Sequence, residues 1–260
     1  MAYEERYCAF VDILGFSELV TGLRSGLTDF DAIRAALKKI REPHDSRYVG
    51  TGDTGFQANS ISDAVAFSTL PTPRGLSVLL AKLKALSVAL LHQGFFTRGA
   101  VCRGLLHQDE HMVFGEALVK AYALESTVAK YPRIVITKDV VEDAFLSDMS
   151  KDDLAHFKKA KDGPHYLHVL WTLQMMLEVR KENPAHEGIA NDWEFFDVIQ
   201  SKIEMNFDDT MDTPRRFKKA RWFANYWNET VDPVTTNRVM HIERPGLKSY
   251  FPAPIDYTRQ

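Results

Sequence analysis

Two aspartates embedded in apolar, strand-forming segments constrain this 260-residue chain more than any other feature. The run Tyr7-Cys8-Ala9-Phe10-Val11-Asp12-Ile13-Leu14 is rich in strand formers and stops at Gly15; period-two alternation puts Asp12 on one face with Phe10 and Leu14. In Ile61-Ser62-Asp63-Ala64-Val65-Ala66-Phe67 the same alternation groups Asp63 with Ile61, Val65 and Phe67, the side expected to be buried. An unpaired buried carboxylate costs several kcal/mol, so each acid needs a partner. A cation shared between neighbouring strands would serve both. Hard divalent ions prefer oxygen ligands, and Mg²⁺ in phosphoryl-transfer sites is held by one or two carboxylates plus phosphates. Alternatively, each acid ends a strand and is satisfied by a backbone donor or an arginine. The two segments alone leave both readings open.

The turn after Asp12 bears on that choice. Gly15-Phe16-Ser17 leads into a helix beginning Ser17-Glu18-Leu19-Val20, with Ser17 as its expected cap. The N–H groups of Phe16 and Ser17 then stand at a helix N-terminus, which binds phosphate. A plain strand-to-helix turn is the competing account.

Downstream patterning predicts a helix over 28–41, a polar Gly-rich loop over 44–55 and a strand over 56–69. A helix over 76–93 carries Leu79, Leu80, Leu83, Leu86 and Leu90 at helical spacing. Strands over 95–106 and 112–114 flank a polar turn, His107 to His111, before a helix over 115–128 and a strand over 133–137. The order is βαββαβ-like. It predicts an α+β, two-layer, ferredoxin-like core with helices on one face of the sheet. Beyond 138, one strand over 165–170 and helices over 193–205 and 214–228 read as a mainly helical appendage packed on the core. The expected domains are 1–145, catalytic, and 146–260, appendage.

Composition excludes some partners. Thirty-two basic and 35 acidic residues give a net charge of -3, which offers no electrostatic footprint for nucleic acid or an anionic membrane. The two cysteines, Cys8 and Cys102, lie in apolar segments, and no leader or run of eighteen apolar residues is visible, which points to the cytoplasm. The Gly50 to Gly55 loop formally matches G-x-G-x-x-G without the strand and helix that motif requires. His107 and His111 read as a solvated turn, and Phe217, Arg221 and Trp222 as a helix docking face.

The segment Phe10-Val11-Asp12-Ile13-Leu14-Gly15-Phe16-Ser17 resembles the first metal motif of class III nucleotidyl cyclases, and Ser62-Asp63 resembles their second. Phe114-Gly115-Glu116-Ala117-Leu118 and Leu124-Glu125-Ser126 are similar to the segment in which a Trp-Gly turn opens a helix ending in Leu-Glu. The resemblance is motif-level and spans roughly residues 5 to 137. With Thr97-Arg98-Gly99-Ala100 and Tyr131-Pro132-Arg133-Ile134, the chain looks most like the stand-alone pyrimidine cyclases of bacterial Pycsar anti-phage defence.

The resemblance implies two divalent ions, Mn²⁺ or Mg²⁺, on Asp12, Asp63 and the Ile13 carbonyl. It also implies phosphate on Phe16 and Ser17, and a homodimer with composite sites. The departures are specific. Val119 and Ala123 stand where adenylate and guanylate cyclases place an Asn and an Arg, and the purine-reading pair falls near Asn59 and Met112. A cation must come from elsewhere: Arg98, Arg103 and Lys120 are available, with Arg98 the first choice as catalytic residue and Arg98 and Arg103 as substrate contacts. Tyr48 supplies bulk that would exclude a purine. The expected reaction converts UTP, or as second choice CTP, to its 3′,5′-cyclic monophosphate and diphosphate. The rival readings are a non-catalytic nucleotide sensor and another two-metal nucleotidyltransferase or nuclease.

Overall fold

A computed structural model describes residues 3–41, 54–146, 155–182, 192–234 and 240–247, and its chain divides into two compact units, 1–171 and 172–260. In the first unit, β1 (Glu4–Ile13) has six consecutive buried residues, Arg6 to Val11. β3 (Ala64–Thr69) is buried throughout. Strands covered on both faces read as continuous apolar runs, which explains why neither alternates cleanly.

β1 and β3 occupy inner positions of an eight-stranded sheet. Its order is β2-β3-β1-β4-β6-β8-β7, formed with β2 (Gln57–Ile61), β4 (Thr97–Gln108), β6 (Ile134–Ile136), β7 (Phe157–Lys159) and β8 (His165–Leu167). The short β5 (Val113–Phe114) pairs with β4. Among the described residues β4 and β6 run parallel and the other neighbours antiparallel.

Helices cover both faces of this sheet, not one as expected. On the face formed by Cys8, Phe10, Ala64 and Cys102 lies α4 (Glu116–Thr127), through Ala117 and Ala121. On the other, Thr97 donates to Ser87 of α3 (Pro73–His92) at 2.9 Å, and Tyr7 donates to Asp143 of α5 (Lys138–Leu146) at 3.0 Å. Thr72 caps α3 by accepting from the Gly75 amide at 3.0 Å, and Pro73 fills the first helical position. Among the described residues α3 is the one helix long and apolar enough to span a membrane, and most of it is buried within the unit. α1 (Phe16–Arg24) and α2 (Phe30–Arg41) complete the first half.

Three local expectations change. The strand over 56–69 is a hairpin, β2 and β3, turning at Ser62 and Asp63, with Ser62 at φ 58°. Asp63 therefore lies in the turn, and strand alternation does not set its direction. Ser17 does not cap α1: Gly15 does, at φ 79°, a left-handed conformation that favours glycine, and the helix starts at Phe16. His107 and Gln108 belong to β4, which runs two residues beyond its expected end.

The second unit contains most of α6 (Trp171–Glu182), with α7 (Asp192–Asp208) and α8 (Pro214–Val231). α8 buries Ala220, Phe223, Ala224, Trp227 and Val231, and Phe217 packs edge-on against Phe207 as expected, whereas Arg221 is exposed and is not part of the docking stripe. Trp227 Nε1 donates to the Met240 carbonyl at 2.8 Å, and the Asn228 amide exchanges two bonds with the Ile242 backbone.

Candidate functional site

Asp12 stands at the end of β1, directly across from Ala64 on β3 and from Arg98 on β4. The Ile13 amide donates to the Asp63 carbonyl at 3.3 Å, tying the β2–β3 turn to the same strand end. The two aspartates are thus brought together although 51 positions separate them in sequence. Burial, first, holds the Asp63 carboxyl above its ordinary range, and the charge of Asp12 adds to that. Its own backbone amide, the Ser62 hydroxyl and Arg98 pull the other way.

Arg98 lies on the same face as Asp12. Its Nη2 donates to Asp12 Oδ2 at 3.0 Å and its Nε reaches Oδ1 at 3.5 Å. The same Nε lies against Glu125 Oε1 as an ion pair. That contact is charged but misaligned: Oε1 accepts no hydrogen bond, whereas Oε2 accepts one from the Ser126 hydroxyl at 2.8 Å. Glu125 is 2% exposed. Burial, then the nearby Asp12, pushes its carboxyl up, against the pull of Ser126 and Arg98. Burial also works against the Arg98 charge, but Asp12, Glu125 and Asp63 outweigh it and hold the guanidinium above its ordinary value. If all ionise, three carboxylates surround one cation and two negative charges remain.

Glu125 is the residue that sequence reasoning missed. It lies within the Leu124-Glu125-Ser126 segment. Ala117, Ala121 and Glu125 fall at i, i+4 and i+8, one row of a helix, and all three are buried. An acid continuing an alanine row is the pattern that marks it.

The turn behind Asp12 presents α1 as expected apart from its cap. The Glu18 and Leu19 amides donate to the Gly15 carbonyl at 3.1 and 3.2 Å, so the amides of Phe16 and Ser17 precede the first intrahelical bond. Phe16 is half-buried and Ser17 exposed.

Other expected residues lie elsewhere. Arg103 is five positions from Arg98, hence on the opposite face of β4, where its Nη1 donates to both Asp143 oxygens at 2.9 and 2.7 Å. The structure does not bring it to the aspartates. Lys120 meets Asp139 at 3.5 Å. Asn59 donates to the Asp109 carbonyl at 2.9 Å and accepts from Gln108 at 2.6 Å, so its amide is engaged within the protein. Val119 and Ala123 are exposed on α4, and Met112 is exposed in the β4–β5 turn. Tyr48 lies outside the described residues.

Among the described residues no group of three or more His, Cys, Asp or Glu converges to hold an ion alone. The donors at the strand end, two carboxylates and the Ile13 carbonyl, are all oxygen. They fit a hard divalent cation whose remaining ligands come from phosphate and water.

No family model and no curated protein matches the chain. Solved structures do. The guanylyl cyclase domain of the RhoGC fusion protein from the aquatic fungus Blastocladiella emersonii is 17% identical over 64% of this chain and 95% of that one, with a TM-score of 0.41. A class III adenylyl cyclase-like ATP-binding protein from Pseudomonas aeruginosa is 14% identical over 65% and 39%, at 0.44. The guanylyl cyclase Cya2 is 14% identical over 54% and 78%, at 0.38.

Proposed function

We propose that the chain is a divalent-metal nucleotidyl cyclase of the class III type. In this reading it converts UTP, or as second choice CTP, to the 3′,5′-cyclic monophosphate and diphosphate in the cytoplasm, as a messenger in anti-phage defence. One observation carries the reading: Asp12 and Asp63 meet at one strand end, immediately before a helix N-terminus and with Arg98 on the same carboxylate. The first and second metal motifs of the resemblance fall on those two aspartates.

Asp12, Asp63 and the Ile13 carbonyl would hold two divalent ions, Mn²⁺ or Mg²⁺, which when bound would acidify the attacking hydroxyl and neutralise phosphate charge. The chain's own residues position the substrate. The amides of Phe16 and Ser17, at the positive end of α1, take phosphate oxygens. Arg98 meets the charge that builds on the α-phosphate as the ribose 3′-oxygen bonds to phosphorus, the bond to diphosphate breaks and the hydroxyl proton is released. With Val119 and Ala123 unable to orient ribose or supply a cation, Arg98 takes the electrostatic role. With Asn59 engaged by Gln108 and Asp109, and Met112 apolar, these two positions offer no Lys and Asp pair to read a purine, which favours a pyrimidine.

A homodimer supports this site. Tyr3, Met112, Phe114, Val119 and Tyr122 are each at least half exposed, Tyr3 stacks on Phe114, and Tyr122 meets Phe10 edge-on. Phe10 shares a strand face with Asp12. Tyr122 and Phe10 place apolar surface near Asp12, whereas Tyr3, Met112 and Phe114 stand at the opposite end of β1 and β4; a second copy that completes the site would cover the Tyr122 end. Residues 146–260 are read as an appendage to this catalytic part.

Single Asp12→Ala and Asp63→Ala variants test the reading. Each is expected to abolish cyclic product in Mn²⁺ while retaining the fold, and full activity in both would overturn it.

A further inference from the structure

Arg98 stands between two carboxylates of different kinds. Toward Asp12 it makes an aligned bond at 3.0 Å. Toward Glu125 it makes a charged contact that leaves Oε1, fully buried, without a hydrogen bond. Asp12 is partly open, with 17% of its side chain exposed against 3% for Glu125. A buried acceptor without a bond is costly, and an alanine would have continued the row of Ala117 and Ala121 without that cost. Packing alone therefore does not account for Glu125.

We propose that Glu125 is a positioning residue that gives Arg98 a second seat: Arg98 neutralises Asp12 until a divalent cation takes that carboxylate, and then aligns on Glu125 Oε1. This rests on the reading of Asp12 and Asp63 as the metal site. The exchange keeps the guanidinium beside the strand end, where leaving for solvent would waste it. Arg98 is then a competitor of the metal, and Glu125 relieves the competition. The buried carboxylate gains the bond that it lacks, and the partly open one gains an ion whose other ligands come from solvent and substrate.

Mn²⁺ binding to the full chain, without nucleotide, tests this in four proteins: wild type, Glu125→Gln, Arg98→Met and the double variant. Circular dichroism verifies the fold of each, and electron paramagnetic resonance counts free Mn²⁺. Arg98→Met is expected to bind Mn²⁺ about tenfold tighter than wild type, equivalent to about 1.4 kcal/mol. Glu125→Gln is expected to bind about tenfold weaker, because Asp12 becomes the one seat left to Arg98. In the Arg98→Met background the same change is expected to cost less than about threefold. Glu125→Asp, which keeps the charge, is expected to recover most of the affinity.

An equal loss in both backgrounds would make Glu125 a partner of the ion itself and overturn the proposal. So would unchanged or tighter binding in Glu125→Gln, or a Glu125→Asp protein no better than Glu125→Gln. Cyclic product is assayed separately in wild type. The expected coupling without product overturns the cyclase reading and leaves the exchange standing; product with additive affinities overturns the exchange alone.

Discussion

Asp12 and Arg98 are direct cross-strand partners on β1 and β4, joined by a 3.0 Å bond, and the bridge closes the end of the sheet where Asp63 turns. A lysine at position 98 would bring one ammonium, not a planar fork, and could not face Asp12 and Glu125 together. Arg98→Lys is therefore expected to fold normally and to form cyclic product about 100-fold more slowly, the loss that follows removal of one oriented donor to a developing charge. Steady-state kinetics with UTP checks it; an unchanged kcat would remove Arg98 from the chemistry.

Arg133 is almost wholly buried and donates to both oxygens of Asp162, at 2.7 and 2.6 Å. Those bonds hold the Asp162 carboxyl below the ordinary carboxylate range. A folded-state value below the unfolded one contributes stability above about pH 4, lost as pH falls through the lower folded value. Asp162→Asn is expected to cost about 1–3 kcal/mol near neutral pH, since it strips the charge from a partner of a buried guanidinium. Thermal melts across pH should show the wild-type advantage narrowing in acid.

Cys8 and Cys102 face one another across β1 and β4, both fully buried. Burial pushes the Cys102 thiol up to about 12 and the Cys8 thiol higher still. Neither forms thiolate near neutral pH, so a thiol reagent should label both quickly in denaturant and neither in the folded chain. Mass spectrometry of the labelled protein reads the result.

Gly115 opens α4 at φ 147°, and a Cβ there would lie 2.5 Å from the Leu105 carbonyl oxygen. Gly115→Ala is expected to destabilise by about 1–3 kcal/mol, because backbone and not a flexible side chain fills the space. Displacement of α4 moves Glu125 with it, so Mn²⁺ affinity should fall together with the denaturation midpoint.

Much of this was legible in the sequence. Strand formers up to Gly15 placed β1 and Asp12, and leucine spacing placed α3, because long elements with one dominant pattern leave little choice. Asp63 is legible only in part: apolar residues on both sides hide a two-residue turn, since β3 is buried on both faces and does not alternate. The position of Arg103 is legible too. Once β4 is a strand, the odd separation from Arg98 already sends it to the other face. Glu125 escaped because an acid in a helix reads as solvated until its row is known to be buried. α5 and β7 are short, and their patterns give periodicity too few residues to register.

The most direct measurement is incubation of the purified full chain with Mn²⁺ and each of the four ribonucleoside triphosphates, read by mass spectrometry for cyclic monophosphates. Cyclic UMP is expected from UTP, with CTP second, neither purine turned over comparably, and no product from Asp63→Ala. The absence of any cyclic monophosphate, or a linear product in its place, would contradict the account.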